Sequence, residues 1–433
     1  MNKFFPLGWE LLSLEEIFEF RYGKGLPQEK RNKMGPVRVY GSNGVLGNHD
    51  VALSKGPTII VGRKGSVGEV HFTDESCWPI DTTYFIDDFP ANLPPKYWVN
   101  FLKSLHLGQQ EKSSAIPGIS RNDIYALEVP LPPLAEQRRI VAKLEILLGK
   151  ADACRARLER IPALLKRFRQ SVLSAACSDL LTHTLKGNGL PKSWNDYALG
   201  ELISEVRTGP FGSSLHKSDY VSGGIPVINP ANILDGSIVP NRNISVPPRV
   251  FNRLSDYSLK ENDIIIARRG EMGRCAIITK KENGWLCGTG AAILRFKTNV
   301  LPAFMQIVIS SPSAISYLKE VSVGSTMDNL NQQAIKEMPI SLPPLPVQQE
   351  IVRRVEALFA LADKIEARHK KAKLQVDRLT QSILAKAFRG ELVPQDPNDE
   401  PASRLLERIL GEKAKSDEIE LGGKKKRHGA RLR

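Results

Sequence analysis

Hydrophobic residues recur in alternating steps of four and three along two long stretches of the chain. One stretch follows Leu131-Pro132-Pro133-Leu134 and the other follows Leu342-Pro343-Pro344-Leu345, and a shift of 211 positions superimposes the two without a gap. Apolar residues at an average spacing of about 3.5 form a narrow stripe on a helix, and such a stripe requires a partner helix. The pattern therefore predicts two repeated helices of roughly 40 residues, each about 60 Å long.

The apolar stripe, called the seam below, has the same spacing in both copies, and charged residues fill the surface between its members. The seam residues are Ile140, Leu144, Leu147, Ala151, Cys154, Leu158, Ile161, Leu165, Phe168 and Val172 in the first copy, and Ile351, Val355, Leu358, Ala362, Ile365, His369, Ala372, Val376, Leu379 and Ile383 in the second. We expect the two helices to pack on each other as an antiparallel coiled coil. The alternative is two separate amphipathic helices, each lying on its own domain.

Local signals mark the ends of both helices. A Pro-Pro pair precedes each periodic run, where missing N–H groups cost nothing. The second copy ends at Arg389-Gly390, the usual stop pattern. The first copy has Asp179-Leu180 where the second has Gly390-Glu391. We therefore expect the first helix to end differently. Pro162 lies within the first copy and should kink or break that helix.

A globular segment precedes each helix, and the two segments share a strand followed by a basic turn. Residues 59–68 read IIVGRKGSVG and residues 264–273 read IIIARRGEMG. Both predict a buried strand that runs into a tight turn with two glycines three positions apart. A polar helix start is expected at Ser120 and at Asn331, where each globular segment leads towards its helix.

The basic turns are candidate phosphate contacts, because a Gly-rich turn lets backbone N–H groups approach an anion closely. The candidates for phosphate contact are Arg63, Lys64, Arg268, Arg269 and Arg274. Side chains on predicted loops that could pair with base edges are Lys24, Lys30, Arg31, Asn43 and His49 in the first segment, and Arg207, Lys217, Asn229, Asn232 and Arg242 in the second. For any one of these, an ordinary solvated loop residue is the alternative.

Composition and net charge indicate the cellular compartment and the charge of a possible partner. The chain has 433 residues, of which 41% are hydrophobic and 25% are charged, values that allow two or three globular domains. Its five cysteines are irregularly spaced, which favours a reducing compartment, and no apolar stretch is long enough for a membrane span, so we expect a cytoplasmic protein. The net charge is +14, and the last thirteen residues contribute +6 of it. That tail is expected to be disordered. The remaining +8 is compatible with a polyanionic partner.

Catalytic signatures are missing from the sequence. No Walker-type phosphate loop, no Asn/Asp-Pro-Pro-Tyr/Phe stretch and no His/Cys cluster with metal-ligand spacing occurs, and Asn229-Pro230-Ala231-Asn232 only approaches the second pattern. The sequence therefore predicts a binding and assembly protein that has no catalytic activity alone and holds no metal.

The combination of these features resembles the specificity subunit of type I restriction–modification enzymes. The resemblance rests on the two divergent segments, the repeated Leu-Pro-Pro-Leu-x-x-Gln that ends at Gln137 and Gln348, the Gln-Ser-x-Leu stretches at Gln170 and Gln381, and the FRGELVP stretch at 388–394. It implies that each globular segment is a target-recognition domain that reads one half of a bipartite DNA sequence. It also implies that the helices set the spacer and dock two methyltransferase subunits, with motor-nuclease subunits in the full complex. S-adenosylmethionine, ATP and Mg²⁺ are then expected in the partner subunits and not in this chain.

The expected fold is α+β, with two mixed α/β recognition domains separated by the coiled coil in a pseudo-twofold arrangement. The predicted domains are residues 1–130 and 183–341, the predicted spacer helices are residues 131–182 and 342–393, and residues 394–433 form a C-terminal segment and tail. Two other functions fit the sequence. One is a coiled-coil adaptor between proteins, and the other is the specificity subunit of a related system whose partner fuses methylation and cleavage.

Overall fold

The chain forms two compact units in the structure, a computed structural model that describes residues 5–110, 118–181, 193–210, 214–322 and 330–429. Of these, residues 109, 110, 179 and 416–429 are described by their backbone alone. The first unit comprises residues 1–158 and 371–433, and the second comprises residues 159–370. The division falls within both long helices, since each unit keeps the helical segments that pack on its own recognition domain.

The strands and helices follow the predicted order of a recognition domain and a long helix, used twice. Up to the end of the first repeat they are β1 (Glu10–Ser13), α1 (Leu14–Ile17), β2 (Arg21–Tyr22), β3 (Val37–Gly41), β4 (Gly44–His49), β5 (Thr58–Gly62), β6 (Val70–Thr73), β7 (Cys77–Pro79), β8 (Thr83–Ile86), α2 (Pro95–Ser104), α3 (Arg121–Tyr125), β9 (Glu128–Leu131) and α4 (Leu134–Ala176). The second repeat consists of β10 (Asn195–Ala198), α5 (Leu199–Leu202), β11 (Ile203–Thr208), β12 (Ile225–Ile228), β13 (Ile233–Leu234), β14 (Ser237–Ile238), β15 (Ser245–Val246), α6 (Pro248–Arg253), β16 (Ile264–Ala267), β17 (Cys275–Ile277), β18 (Leu286–Cys287), β19 (Ala291–Phe296), α7 (Pro302–Ile309), α8 (Pro312–Ser322), α9 (Gln332–Lys336), β20 (Pro339–Leu342) and α10 (Leu345–Ala387), and α11 (Ala402–Gly429) follows it.

Both recognition domains have the same sheet topology, which extends the repeat far beyond the sequence match. The four-stranded sheet has the order β2-β8-β5-β6 in the first domain and β11-β19-β16-β17 in the second. A three-stranded sheet follows as β4-β3-β7 and β15-β12-β18, and a strand pair joins β1 to β9 and β10 to β20. Every residue of β5 and β16 is buried, which explains their continuous rather than alternating apolar sequences. The predicted α+β class with two mixed domains is confirmed.

The two long helices pack antiparallel within each unit. In the first unit, Ile140 and Leu144 near the start of α4 share a core with Ile383 and Ala387 near the end of α10. In the second unit the opposite ends meet, and Val172 packs in one core with several residues from the start of α10. The antiparallel helix pair predicted from the repeat is therefore confirmed.

Burial along the seam is deepest where a recognition domain covers the helix pair. The seam residues that are buried are Ile140, Leu144, Ala151, Leu165, Val172, Ile351, Val355, Ala362 and Ile383. By contrast, Cys154 is exposed, and Ile365 and Leu379 are 38% and 54% exposed. The prediction that they lie in a covered seam is wrong, because a pair of helices covers only one side of each stripe and a third layer is needed to bury its margins.

Ion pairs between the helices fix their facing positions but contribute little stability. Arg155 contacts Asp377 at 3.1 Å in the first unit, and Arg169 contacts Asp363 at 2.5 Å in the second. Since these side chains are between 32% and 69% exposed, each pair contributes less than about 1 kcal/mol. The apolar seam therefore carries most of the pairing energy.

The ends of the two long helices differ as the sequence indicated. After α10, Gly390 has φ +75° and the Glu391 N–H donates to the Lys386 carbonyl at 2.9 Å, which is the expected glycine stop. After α4, a 3₁₀ turn at Asp179–Leu181 follows instead. Pro162 does not break α4. Its side chain is exposed, so the carbonyl that loses a hydrogen-bond donor can be solvated.

The C-terminal segment is helical where the sequence predicted a disordered tail. Helix α11 spans Ala402–Gly429, and Ala402, Leu405 and Ile409 are buried in the core of the first unit. Spacings of three and four residues place these apolar side chains on one face of a helix. The prediction of disorder rested on the basic residues of the tail and did not take this spacing into account. Residues 430–433 and the predicted domain boundary at residue 183 lie outside the described residues.

A glutamine in the first turn of each long helix shows how the two repeats have diverged. Gln348 is fully buried, accepts a hydrogen bond from the Leu301 N–H, and donates to the carbonyls of Asn299 and Pro343. Gln137 is equally buried and donates to the Pro132 carbonyl, but its Oε1 has no partner. Leu301 precedes α7 as Pro94 precedes α2, and a proline has no N–H to donate.

Replacing these glutamines by leucine should have unequal effects on stability. Gln348→Leu leaves three backbone groups without their side-chain partner, two of them in part-buried bonds and one in a buried bond, whereas Gln137→Leu leaves one buried carbonyl and removes an unpaired oxygen. We expect the first substitution to lower the free energy of unfolding by about 2 kcal/mol more than the second. Urea unfolding of the two variants, with hydrogen exchange at the Leu301 amide, measures the difference. Equal losses would show that the bonds to Gln348 are not formed.

Candidate nucleic-acid interface

The two basic turns have the same backbone conformation. Gly65 and Gly68 have φ values of +78° and +75°, and Gly270 and Gly273 have +79° and +82°. A side chain at Gly68 would place its Cβ 2.2 Å from the Gly108 nitrogen, and one at Gly273 would place it 2.4 Å from Ile315 Cγ1. The paired glycines are therefore required by the left-handed backbone and by close packing.

Matching hydrogen bonds hold the two turns at the edge of the domain. The N–H of Arg63 donates to the Thr82 carbonyl, and the N–H of Arg268 donates to the Gly290 carbonyl, each at 2.8 Å. In return, the carbonyls of the two arginines accept from Ile119 and Leu330 at 3.2 and 3.0 Å. Helix α3 begins just after Ile119, and helix α9 begins just after Leu330. The Ser120 and Asn331 side chains cap them as predicted.

In the first unit the structure brings Asn43 next to the basic turn. Ser42 and Asn43 form the tip of the hairpin between β3 and β4, and Asn43 is exposed. The Ser42 carbonyl contacts His71 Nε2 at 3.2 Å, and a Cβ at Gly62 would lie 3.1 Å from that of Ser42. The base-reading and phosphate-binding candidates thus share one edge of this domain.

Arg63 stacks on aromatic rings instead of pairing with a carboxylate. Its guanidinium carbon lies 5.3 Å from the ring centroid of Tyr22 and 5.8 Å from that of Tyr84. Arg121 lies 5.3 Å from the same Tyr22 ring and 5.7 Å from Tyr125. Tyr22 and Arg121 were missed in the sequence because they lie on separate elements, and no linear motif joins them to the turn.

Arg268 has a different environment although it occupies the equivalent position. Its side chain is 7% exposed and its Nε donates to the Leu330 carbonyl at 2.7 Å. Burial, with a contribution from Arg269, lowers the pKa of Arg268 below its ordinary value. In this position it presents little surface to a ligand and fixes the segment before α9.

One substitution across the sheet explains why Arg63 and Arg268 differ. In the first unit the Tyr84 hydroxyl donates to the Ile119 carbonyl at 3.3 Å, so this carbonyl needs no hydrogen bond from the Arg63 side chain. Thr208 in the second unit corresponds to Tyr22 in the first. Thr208 faces Ala292 on the neighbouring strand, whereas Tyr22 faces Tyr84, so Ala292 stands at the position of Tyr84. With alanine at that place, the Leu330 carbonyl lacks a hydroxyl donor and Arg268 turns inward to satisfy it.

The side chains of the other three phosphate candidates differ in their exposure to solvent. Lys64 and Arg269 are exposed. Arg274 is half-buried, and its Nε donates to Glu271 at 2.8 Å, so an anion would have to compete with that carboxylate. The phosphate contacts themselves stay predictions.

The remaining candidates of the first unit are spread along the domain. Lys24 is exposed, and its backbone joins the Pro79 carbonyl and Trp78 Nε1 near the strand edge that carries Asn43. Lys30 is exposed, while Arg31 Nε donates to the Leu26 carbonyl. His49 lies at the opposite end of β4 from Asn43, with its ring 5.3 Å from that of Trp78.

The second unit similarly separates exposed from structural candidates. Lys217, at the start of a 3₁₀ turn, and Arg242, on a loop, are exposed. Asn229 lies beside Gly288, near the Arg268 turn, as a Cβ on that glycine would be 2.2 Å from its Oδ1. Asn232 is buried and donates to the Val239 carbonyl, and Arg207 pairs with Glu205 at 2.7 Å, so both have structural partners.

Sequence comparisons identify the family to which this repeated architecture belongs. The sequence model of the type I restriction modification DNA specificity domain matches residues 6–163 and again residues 191–376, one match for each recognition domain and its helix. The chain belongs to this family. The resemblance found in the sequence is thereby confirmed. As a family member, this specificity chain is a recognition component and not a catalytic subunit of its complex.

Individual relatives agree with the family assignment. The chain is 35% identical to the type I restriction enzyme EcoBI specificity subunit of Escherichia coli, over 72% of this chain and 69% of that protein. It is 30% identical to the EcoDI specificity subunit of Escherichia coli over 97% of both chains. A solved structure on complex assembly and conformational transition of the type I R-M system contains a chain with the same fold, at a TM-score of 0.67 and 19% identity over 90% of this chain and 99% of that one.

Within the described ranges, no group of three His, Cys, Asp or Glu side chains could hold a metal ion. No helix in those ranges is long and apolar enough to cross a membrane.

Proposed function

We propose that this chain selects the DNA sequence on which a type I restriction–modification complex acts. Each recognition domain reads one half of a bipartite target, and the helix pair sets the spacer between the halves. The observation that supports this function is a single sheet framework used twice, with the same basic turn surrounded by different polar side chains. A reader of two unlike half-sites requires a constant framework and two variable surfaces.

The proposed complex supplies the chemistry that this chain lacks. Two methyltransferase subunits dock on the helix pair and methylate adenine with S-adenosylmethionine, and motor-nuclease subunits use ATP and Mg²⁺ for translocation and cleavage. The protein then works in the cytoplasm, where the DNA and the partner subunits are found.

A groove in the second unit supports docking of a partner segment that has basic side chains and an apolar face. The groove has a volume of about 670 Å³. Its apolar floor includes Leu173, Val352 and Phe359, and carboxylates of Asp235 and Glu356 line it. Acidic side chains over an apolar floor complement a basic amphipathic helix.

In the first unit an ion pair lies at the position equivalent to the rim of this groove. Lys96 on α2 bridges Glu145 on α4 at 2.7 Å, and Ala303 on α7 stands where a lysine would reach Glu356. The two faces are thus related by the repeat but differ in charge, so a partner subunit meets them differently.

Ala303→Lys should close the groove by copying the Lys96–Glu145 bridge. We expect the variant to bind one methyltransferase subunit normally and to lose affinity for the other, because the new lysine repels a basic segment and fills its path. Sedimentation of the complex with its cognate methyltransferase subunit measures the stoichiometry. Asn252→Lys, on an exposed face of α6, controls for added charge. Unchanged binding of two subunits by Ala303→Lys would exclude the groove as a docking site.

Exchanging residues 1–130 for the recognition domain of another specificity chain tests the function itself. We expect the half of the methylated sequence read by that domain to change while the other half and the spacer stay the same, since the domains have separate cores. Mapping methylated adenines in host DNA, with and without each chain, gives the answer. Changes in both halves, or in neither, would contradict the modular account.

A further inference from the structure

The first unit carries a cationic stack that has no ion-pair partner among the described residues. Tyr22 is 50% exposed, and the guanidinium groups of Arg63 and Arg121 both lie 5.3 Å from its ring centroid. Lys64 is exposed beside Arg63 on the same turn. Two guanidinium groups therefore flank one half-exposed aromatic ring, and a third cationic side chain is exposed on the adjoining turn.

The two arginines of this stack are incompletely satisfied. The Nε atoms of Arg63 and Arg121 are buried and have no hydrogen-bond partner in the described part of the chain. The tyrosine faces compensate part of the desolvation of the guanidinium groups. Two guanidinium groups on one ring, neither of them in an ion pair within the described residues, favour binding of an external anion.

The second unit has replaced every member of the stack with a neutral or inward-facing side chain. Thr208 occupies the strand position of Tyr22, and Gln332 occupies the first position of α9 as Arg121 does in α3. Gln332 Nε2 contacts Thr208 Oγ1 at 3.5 Å, so the contact between the strand and the helix persists without charge. Arg268 is withdrawn to the Leu330 carbonyl.

We propose that Arg63, Tyr22 and Arg121 form a binding site for a backbone phosphate of DNA, and that the second unit has no equivalent site. The guanidinium groups contact the phosphodiester oxygens, and the Tyr22 ring holds both groups in orientation. The first half-site then carries the larger share of the salt dependence of DNA binding, while the second depends more on neutral contacts. This inference rests on the proposed function.

Arg121→Gln gives the first unit the side chain found at the same position in the second. In the assembled complex with its methyltransferase subunits, we expect duplex affinity at about 0.1 M salt to fall roughly tenfold. The slope of log affinity against log salt should become shallower by about 1. The preferred sequence should not change, because a phosphate contact carries no base information. Binding is measured with a duplex that contains a methylated site mapped in host DNA.

Four further variants separate the stack from general charge and from folding. Arg121→Lys keeps the charge and should keep most of the salt slope. The double variant Thr208→Tyr with Gln332→Arg should make the slope steeper. Arg268→Gln should lower the urea concentration at the unfolding midpoint and leave the salt slope unaltered, since it strands the buried Leu330 carbonyl. Arg157→Gln, on an exposed position of α4 without an ion pair among the described residues, should alter neither property.

The outcomes distinguish this inference from the proposed function. A normal salt slope in Arg121→Gln, with wild-type complex bound specifically to the duplex, would overturn the phosphate site alone. A changed target sequence with an unchanged slope would assign Arg121 to base reading and also overturn it. Failure of the wild-type complex to prefer the mapped duplex would contradict the proposed function.

Discussion

The packing of one apolar seam against another is the interaction on which this structure depends. Each seam is too narrow to be buried on its own domain, and in each unit it is covered by the opposite end of the other helix. Ile140 and Ile351 occupy equivalent positions, and both are fully buried. Because the pairing is antiparallel, the start of either helix contacts the end of the other. A single duplicated element thereby supports two recognition domains.

The repeated framework constrains the backbone much more tightly than the side chains. The glycine conformations, the sheet orders and the hydrogen bonds around the two basic turns are the same in both units. A difference at one pair of equivalent positions, Tyr84 in the first unit and Ala292 in the second, is enough to change the role of an arginine. With a tyrosine hydroxyl on the Ile119 carbonyl, Arg63 remains half-buried against Tyr22 and Tyr84, whereas without that hydroxyl Arg268 becomes a structural residue. Divergence of the reading surface thus needs no change of fold.

The sequence was sufficient for features that repeat locally and insufficient for those that depend on a distant neighbour. The helix pair, the paired glycines and the caps at Ser120 and Asn331 follow from spacing and from backbone requirements. The inward position of Arg268 could not be predicted, since it depends on the residue at 292, on another strand. The stack on Tyr22 likewise joins three elements. The helix after residue 401 was overlooked because the basic residues near its end suggested disorder, although Ala402, Leu405 and Ile409 form an apolar face.

The central claim is that the length of the helix pair determines the spacer in the DNA target. The most direct measurement removes one heptad from each helix at facing positions, residues 149–155 and 377–383, whose register is given by the Arg155–Asp377 contact. The seam keeps its phase when seven residues are removed. Mapping methylated adenines should then give a target with both half-sites unchanged and a shorter spacer. An unchanged spacer, with methylation retained, would contradict the account.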